Sequence, residues 1–242
     1  MSLTPDLFRQ NLQTAGLEGY FSDESLSALA HFSIHMLQVN EIVNLTKWIE
    51  DEAFLTHHLL DSAFALPLLS PLISGPQQWI DLGTGCGFPG AVLAAAFPQV
   101  EVSFFDSVAK KIYALEECIE KAGWKAQTLV GRAEEVGHRP QYREQWNGVT
   151  ARAVADFRVV LEYAVPLLKV GGYLVNWMTE EQWASVDKAY PALEILQSKI
   201  IKNAEYSLPG LTQKRILVLV EKLGKTPDTY PRRIGLPSKK PL

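Results

Sequence analysis

The segment WIDLGTGCGFPGAVLA at residues 79–94 constrains the fold most strongly, because an apolar run ends in an acid and then breaks into glycine. The apolar run predicts a buried strand, and the residues after Pro89 predict a helix. A strand that enters a helix through a glycine-rich turn presents backbone N–H groups at the carboxyl edge of a sheet, where α/β folds bind nucleotides. The segment therefore predicts an α/β fold with a nucleotide-like ligand at this turn.

Short apolar strands alternate with amphipathic helices from about residue 76 onward. Seven strands are predicted, at residues 78–82, 101–105, 126–130, 146–151, 172–177, 193–199 and 215–221. The intervening helices are predicted at about residues 89–97, 108–122, 156–168 and 180–189. This alternation favours a seven-stranded, mostly parallel sheet of the Rossmann-like type. The last two strands are expected to form an antiparallel hairpin at its edge.

We predict a division into three parts. Residues 1–75 form a helical N-terminal extension, since apolar residues recur three and four positions apart and Ser22 or Asp23 suits a helix start. Residues 76–224 form the main α/β domain. Residues 225–242, KTPDTYPRRIGLPSKKPL, hold four prolines and five basic side chains, so they continue neither a helix nor a central strand. A frayed terminal tail is one interpretation of this segment.

The composition is that of an ordinary globular protein, and the net charge of −4 means that any nucleic-acid binding must come from a local patch. The apolar runs are shorter than the roughly 20 residues of a membrane span. The start, MSLTPDLFRQ, does not resemble a signal peptide, so we expect a cytoplasmic location and two free thiols, Cys86 and Cys118. No metal site is expected, because the histidine pairs lack a third ligand.

Two ligand classes compete for the glycine turn. Residues 85–90 satisfy G-x-G-x-x-G, which is compatible with a dinucleotide. Asp81, however, stands two positions before Gly83, and its carboxylate would repel a pyrophosphate but would attract an α-ammonium and a sulfonium. The closely spaced Gly83, Gly85 and Gly87 leave room for a bulky nucleoside joined to an amino acid. We therefore favour S-adenosylmethionine.

Two further acids follow the next strands. Asp106 ends the second strand, where a carboxylate accepts hydrogen bonds from ribose hydroxyls in either ligand class; it could also cap the helix that follows. Ala133 and Glu134 follow the third strand, where they could meet the adenine. Alternatively, Glu134 and Glu135 could simply begin a solvated helix.

Five motifs, together with three flanking ones, carry a resemblance to one protein family. They are D-L-G-T-G-C-G-F-P-G at 81–90, F-x-D-S with Lys110 and Lys111 at 104–111, G-R-A-E-E at 131–135, T-A-R-A-V-A at 150–155 and P-L-L-K-x-G-G at 166–172. N-L-T at 44–46, H-x-L-D-S at 58–62 and Y-P-R-R-x-G-x-P-x-K-K-P-L at 230–242 extend the match to nearly the whole chain. On these residues the chain resembles the RsmG family, also called GidB.

The resemblance implies a class I, S-adenosylmethionine-dependent methyltransferase that acts on N7 of a guanine in 16S ribosomal RNA. It also implies cofactor contacts at Gly83, Phe88, Ala133, Glu134 and Arg152. The residue patterns themselves add Asp81, Gly85, Gly87 and Asp106. One departure lies in the fifth strand, where the family has a Lys-Gly pair and this chain runs V-N-W-M; Trp177 could offer a stacking face there instead.

Guanine N7 carries an exposed lone pair, so methyl transfer needs alignment and no general base. Arg152, directly after the fourth strand, is the candidate catalytic residue, because its guanidinium could hold the target nucleotide; an ion pair with Glu134 or Asp106 is the alternative. The expected RNA-binding residues are Lys110, Lys111, Arg232, Arg233, Lys239 and Lys240. Deletion of residues 229–242 is accordingly expected to weaken RNA binding and to spare cofactor binding.

The expected partner is 16S ribosomal RNA or a small ribosomal subunit particle, and we expect a monomer. Two other functions remain open from the residues alone. One is an NAD-dependent oxidoreductase that uses Gly85, Gly87, Gly90 and Asp106. The other is a ribosome-assembly factor that binds RNA without catalysis.

Overall fold

The computed structural model describes residues 3–242. Its strands form one mixed sheet of seven strands in the order β3-β2-β1-β4-β5-β7-β6. The strands are β1 Gln77–Leu82, β2 Val100–Asp106, β3 Gln127–Val130, β4 Trp146–Arg152, β5 Leu168–Thr179, β6 Ser198–Tyr206 and β7 Arg215–Lys222. The pairs β1–β4, β2–β3 and β4–β5 are parallel, whereas β5–β7 and β6–β7 are antiparallel. The predicted fold class, with its antiparallel edge hairpin, is confirmed.

The helices of the N-terminal region are α1 Pro5–Thr14, α2 Asp23–Val43, α3 Asp51–Phe54, α4 Asp61–Ala63 and α5 Leu66–Leu69. The later helices are α6 Gly90–Ala96, α7 Ala109–Ala122, α8 Ala133–Val136, α9 Phe157–Ala164, α10 Glu180–Trp183, α11 Tyr190–Ile195 and α12 Leu236–Lys239. Helix α2 begins where the Ser22 hydroxyl accepts a hydrogen bond from the Ser25 N–H, at 3.1 Å. Ser22 is therefore the N-cap, as one of the two sequence candidates predicted. No helix within residues 3–242 is long and apolar enough to cross a bilayer.

The prediction for the sixth strand was wrong. Residues 190–195 are helix α11, which Pro191 favours in its first turn, and β6 begins only at Ser198. Most side chains of this edge strand are exposed, so it lacks the apolar signal that identifies the inner strands.

Two predicted helices are also shorter than expected. Helix α9 ends at Ala164 and passes through one 3-10 turn into β5, because Pro166 has no N–H to continue an α-helix. The helix predicted at 180–189 is broken after α10, in a stretch with weak helix formers such as Ser185 and Val186.

The chain divides into two compact units. The first comprises the residues up to Gln77 and Thr84–Val130, and the second comprises Gln78–Gly83 and Gly131–Leu242. The predicted domain boundaries after residues 75 and 224 stay a prediction.

The core of the first unit contains a cluster of aromatic side chains around Phe32 of α2. The Phe32 ring stacks on Trp124 with 5.1 Å between centroids and meets the edge of Phe88 at 5.9 Å. Trp124 is therefore a packing residue, and α2 is held against the residues that follow the glycine turn.

The second unit contains a buried lysine at the end of β7. The Lys222 Nζ donates to Glu144 Oε1 at 2.8 Å and to the carbonyl oxygens of Val165 and Leu168 at 3.0 and 2.8 Å. Burial lowers the pKa of Lys222, against the opposing effect of Glu144. All three ammonium hydrogens thus have an acceptor, which makes burial of this charge possible.

We predict that Lys222→Ala lowers the free energy of unfolding by about 3 kcal/mol, because it leaves a carboxylate and two carbonyl groups without their donor. Urea unfolding measures this change. Lys202→Ala on β6, where the side chain is exposed, serves as the control and should change stability little. An equal, small effect of both substitutions would contradict the role given to Lys222.

Candidate functional site

The glycine turn of the first unit is fixed by the end of β2. The Thr84 N–H donates to the Phe105 carbonyl at 2.9 Å, and the Gly85 N–H donates to Asp106 Oδ2 at 3.1 Å. The other oxygen of Asp106 accepts from the Val108 N–H at 2.9 Å. Asp106 thus secures both the turn and the start of α7, and each carboxylate oxygen has a further lone pair with which to accept a ligand hydroxyl.

Glycine is required at Gly83 and Gly87 by the protein's own packing. Their φ angles are +68° and +92°, in the left-handed region that disfavours other residues. A Cβ at Gly87 would lie 2.5 Å from Phe32 Cζ, and a Cβ at Gly83 would lie 2.8 Å from Val154 Cγ2. Tight packing of the turn therefore explains these two glycines without a ligand. The glycine spacing alone does not establish a cofactor site.

The Phe88 side chain is buried and packs against aromatic rings. Its centroid lies 5.5 Å from that of Phe54 and 5.3 Å from that of His58. This side chain serves packing, and its predicted contact with the cofactor stays a prediction.

His58 connects the glycine turn to the N-L-T motif. One ring nitrogen lies 2.8 Å from the Thr46 hydroxyl, and the ring lies 3.8 Å from Cys86 Sγ. The sequence motifs include Thr46 and His58 but predict no contact between them. Their shared occurrence in the motifs at 44–46 and 58–62 was the signal for this connection.

Asp81 of the second unit lies opposite Thr150 on the neighbouring strand. These residues are register partners of the parallel β1–β4 pair, and the Thr150 hydroxyl donates to Asp81 Oδ1 at 2.7 Å. Both side chains are buried. A buried carboxylate at the end of a strand has the charge required to hold an ammonium group.

Glu134, in helix α8, is buried and heavily hydrogen-bonded. Its Oε1 accepts from the Tyr163 hydroxyl and from the Gly235 N–H, both at 3.0 Å, and lies 3.4 Å from Arg132 Nη2. Burial raises the pKa of Glu134, but the hydrogen bonds from Gly235 and Tyr163 outweigh it, so the pKa is lowered. Burial and Glu134 raise the pKa of Tyr163, which keeps it a donor. The alternative of a solvated helix start is wrong for Glu134 and holds only for the exposed Glu135.

Arg152 and Trp177 are register partners on the parallel strands β4 and β5. Arg152 is half-buried at the end of its strand. The Trp177 side chain is only 7% exposed, so the suggestion that it offers an open stacking face was wrong: its side chain is enclosed in the core.

The predicted RNA-binding residues differ in their surroundings. Arg233, Lys239 and Lys240 are exposed at the C-terminal end of the second unit. In the first unit, Lys110 is exposed and Lys111 is half-buried. Arg232 is engaged differently, because its guanidinium donates to both oxygens of the buried Glu162. The RNA-binding roles of all six stay a prediction.

Neither Cys86 nor Cys118 forms a disulfide, as predicted, and both side chains are buried. Burial, reinforced by Glu117, raises the pKa of Cys118 to about 12, so this thiol is a poor nucleophile. Within the described part of the chain, no three His, Cys, Asp or Glu side chains come together as a metal site would require.

The strand order and the antiparallel edge define the Rossmann-like fold of class I methyltransferases. The fold is similar to that of a ribosomal protein L11 methylase from Lactobacillus delbrueckii subsp. bulgaricus, with a TM-score of 0.52 and 14% identity over 68% of this chain and 79% of that chain. YcgJ from Bacillus subtilis gives a TM-score of 0.53 and 14% identity over 69% of this chain and all of that one.

Residues 25–208 match the GidB family, described as rRNA small subunit methyltransferase G. A protein named ribosomal RNA small subunit methyltransferase G from Lactobacillus acidophilus is 36% identical over 99% of this chain and 100% of its own length. One of the same name from Desulfitobacterium hafniense is 40% identical over 91% of each chain. The chain belongs to this family, as the resemblance predicted.

We predict that Gly87→Ala lowers the free energy of unfolding by about 3 kcal/mol, through an unfavourable φ angle and a clash with Phe32. Gly75→Ala is the matched control, since Gly75 also has a positive φ, of +87°, but no atom within 4 Å of the added Cβ. This control should cost about 1 kcal/mol. Urea unfolding of both variants separates backbone strain from the clash, and equal losses would contradict the packing argument.

Proposed function

We propose that this protein transfers the methyl group of S-adenosylmethionine to N7 of a guanine in 16S ribosomal RNA. The observation that carries the proposal is the match over nearly the whole chain to relatives named ribosomal RNA small subunit methyltransferase G. The resemblance of the motifs at residues 81–90, 131–135 and 150–155 supports the choice of guanine N7. The protein would act on RNA or on a small ribosomal subunit particle, as a cytoplasmic monomer.

The residues present fit this cofactor. Asp81 is a buried carboxylate suited to an ammonium group, and Asp106 is suited to ribose hydroxyls. Gly83, Gly85 and Gly87 add no side chain at three positions of the turn, and the backbone of Phe88 follows directly. Ala133 and Glu134 are proposed to lie at the adenine end. When bound, S-adenosylmethionine supplies a methyl group on a positively charged sulfur.

The chain's own contribution to the reaction is alignment. Guanine N7 needs no deprotonation, so no side chain has to act as a general base, and orientation alone can lower the barrier by several kcal/mol. We assign Arg152 the task of holding the target nucleotide. Its planar guanidinium can donate two hydrogen bonds at once, to the carbonyl oxygen of the guanine or to the phosphate of the nucleotide.

The RNA is proposed to bind through cations. Arg233, Lys239 and Lys240 are exposed and lie within eight residues of one another, which gives the acidic protein a local basic patch. Lys110 and Lys111 are proposed to add contacts from α7. Arg232 is the weakest member of the set, because its charge is already balanced by Glu162.

Neither alternative is favoured by the comparisons. An NAD-dependent oxidoreductase would bind NADH in place of S-adenosylhomocysteine. A non-catalytic assembly factor would bind RNA and transfer nothing, so a transfer experiment decides between it and an enzyme.

We predict that incubation of the protein with labelled S-adenosylmethionine and small-subunit particles yields 7-methylguanosine, measured by mass spectrometry of the digested RNA. A hydrogen bond to a charged group contributes about 1.5–3 kcal/mol, so Arg152→Ala should reduce transfer about ten- to a hundredfold. Arg139→Ala, which removes an exposed arginine, is the control. Absence of 7-methylguanosine would contradict the proposal, and unchanged transfer by Arg152→Ala would remove that residue from the site.

We predict that the triple substitution Arg233→Ala, Lys239→Ala and Lys240→Ala flattens the dependence of RNA affinity on salt. Loss of three phosphate contacts on single-stranded RNA should reduce the slope of log affinity against log salt by about 2. A filter-binding titration at several salt concentrations measures the slope. Lys169→Ala, Lys202→Ala and Lys225→Ala together change the net charge equally and should leave the slope unchanged. Equal slopes for both triple variants would exclude the basic patch.

A further inference from the structure

The C-terminal segment, residues 225–242, is anchored to the second unit by a buried ion pair. The Glu162 side chain, in α9, is fully buried, and the Arg232 side chain is 20% exposed. Arg232 Nη2 donates to Glu162 Oε2 at 2.6 Å, and its Nε and backbone N–H donate to Oε1 at 2.9 and 2.7 Å. A buried carboxylate is stable only with such donors, so Glu162 requires the segment to be docked.

The same segment packs against the loop that follows β3. This loop comprises residues 131–138 and includes the short helix α8. The Gly235 N–H donates to Glu134, and His138 Nε2 donates to the Pro231 carbonyl at 2.6 Å. The Pro231 ring packs so closely on Gly137 that a Cβ there would lie 2.7 Å from Pro231 Cγ. The loop is thus contacted at three successive places by residues that lie nearly one hundred positions later in the chain.

Two side chains tie these contacts into one network. Arg143 Nη1 donates to the carbonyl oxygens of Gly137 and Tyr230, both at 2.8 Å, and so joins the loop to the segment. The Tyr163 hydroxyl, next to Glu162 in α9, bonds Glu134 and lies 3.2 Å from the Ser238 hydroxyl. Displacement of the segment would therefore remove the Gly235 N–H from the buried Glu134 and the Ser238 hydroxyl from Tyr163, the other donor to Glu134.

We infer that the C-terminal segment positions the Ala133–Glu134 loop for the adenine end of the cofactor, with Arg232 and Glu162 as the positioning pair. This inference rests on the proposed placement of the adenine beside that loop. It reverses the expectation from sequence that deletion of residues 229–242 spares cofactor binding. It also gives Arg232 a role distinct from that of its exposed neighbour Arg233.

The expected loss of cofactor affinity depends on the fraction of molecules in which the loop adopts its binding conformation. Cofactor affinity falls in proportion to the fraction of molecules in which the loop is correctly placed. If undocking of the segment leaves the loop correct in about one molecule in ten, the dissociation constant rises about tenfold.

The test compares two ligands by isothermal titration calorimetry of the full chain. S-Adenosylhomocysteine carries both the adenosine and the amino-acid end, whereas 5′-methylthioadenosine lacks the amino-acid end. Arg232→Ala should weaken both about tenfold and by the same factor, because the disturbed loop meets the part that they share. Arg232→Lys, which retains the charge, should recover part of the loss. Lys225→Ala removes a cation from the same segment and is the control.

Tyr163→Phe provides a second test, because it keeps the ring and removes only the hydroxyl that joins Glu134 to Ser238 of the C-terminal segment. It should weaken both ligands by a smaller, equal factor, and it decides the question if Arg232→Ala does not fold. Unchanged dissociation constants alongside a lower melting temperature would overturn the inference and leave the segment merely structural. Loss of S-adenosylhomocysteine affinity alone would also overturn it.

Absence of binding by the wild-type protein would overturn the proposed function and this inference together. Tight binding by the wild-type protein with unaffected variants would overturn the inference alone.

Discussion

Buried carboxylates that must be hydrogen-bonded are the constraint on which the loops of this protein depend. The acids with buried side chains that bear on the proposed site are Asp81, Asp106, Glu134 and Glu162. None of them can remain charged out of water without donors. Asp81 receives the Thr150 hydroxyl, and Asp106 receives two backbone N–H groups. Each requirement fixes a neighbouring strand or turn, so the acids proposed to hold the cofactor also determine the conformation of the chain around them.

The requirements of Glu134 and Glu162 reach furthest along the sequence. Their donors include Gly235 and Arg232. The C-terminal segment therefore supplies hydrogen bonds that these two buried carboxylates need. This makes the proline-rich end an ordered part of that unit. Its exposed cations, such as Arg233, lie on a segment that is docked to the second unit through Glu134 and Glu162, and their side chains face solvent.

The sequence predicted what depends on local pattern. The apolar runs identified the inner strands, and the cofactor contacts predicted for the acids at their ends stay a prediction. Edge strand β6 was misplaced because its exposed side chains carry no such pattern. The pairing of Arg232 with Glu162 could not be predicted either, since residues 70 positions apart share no periodicity, and an arginine in a basic run looks the same whether it is paired or free. The Trp177 side chain was misjudged for the related reason that composition does not reveal burial.

A structure of the complex with S-adenosylhomocysteine tests the central claim, that these buried acids organise the cofactor site, most directly. The account predicts the amino-acid end at Asp81, the ribose hydroxyls at Asp106, and the adenine at Ala133 and Glu134 with the Gly235–Glu134 hydrogen bond intact. An adenine bound away from residues 131–138, or a C-terminal segment displaced from Glu134 and Glu162 in the complex, would contradict it.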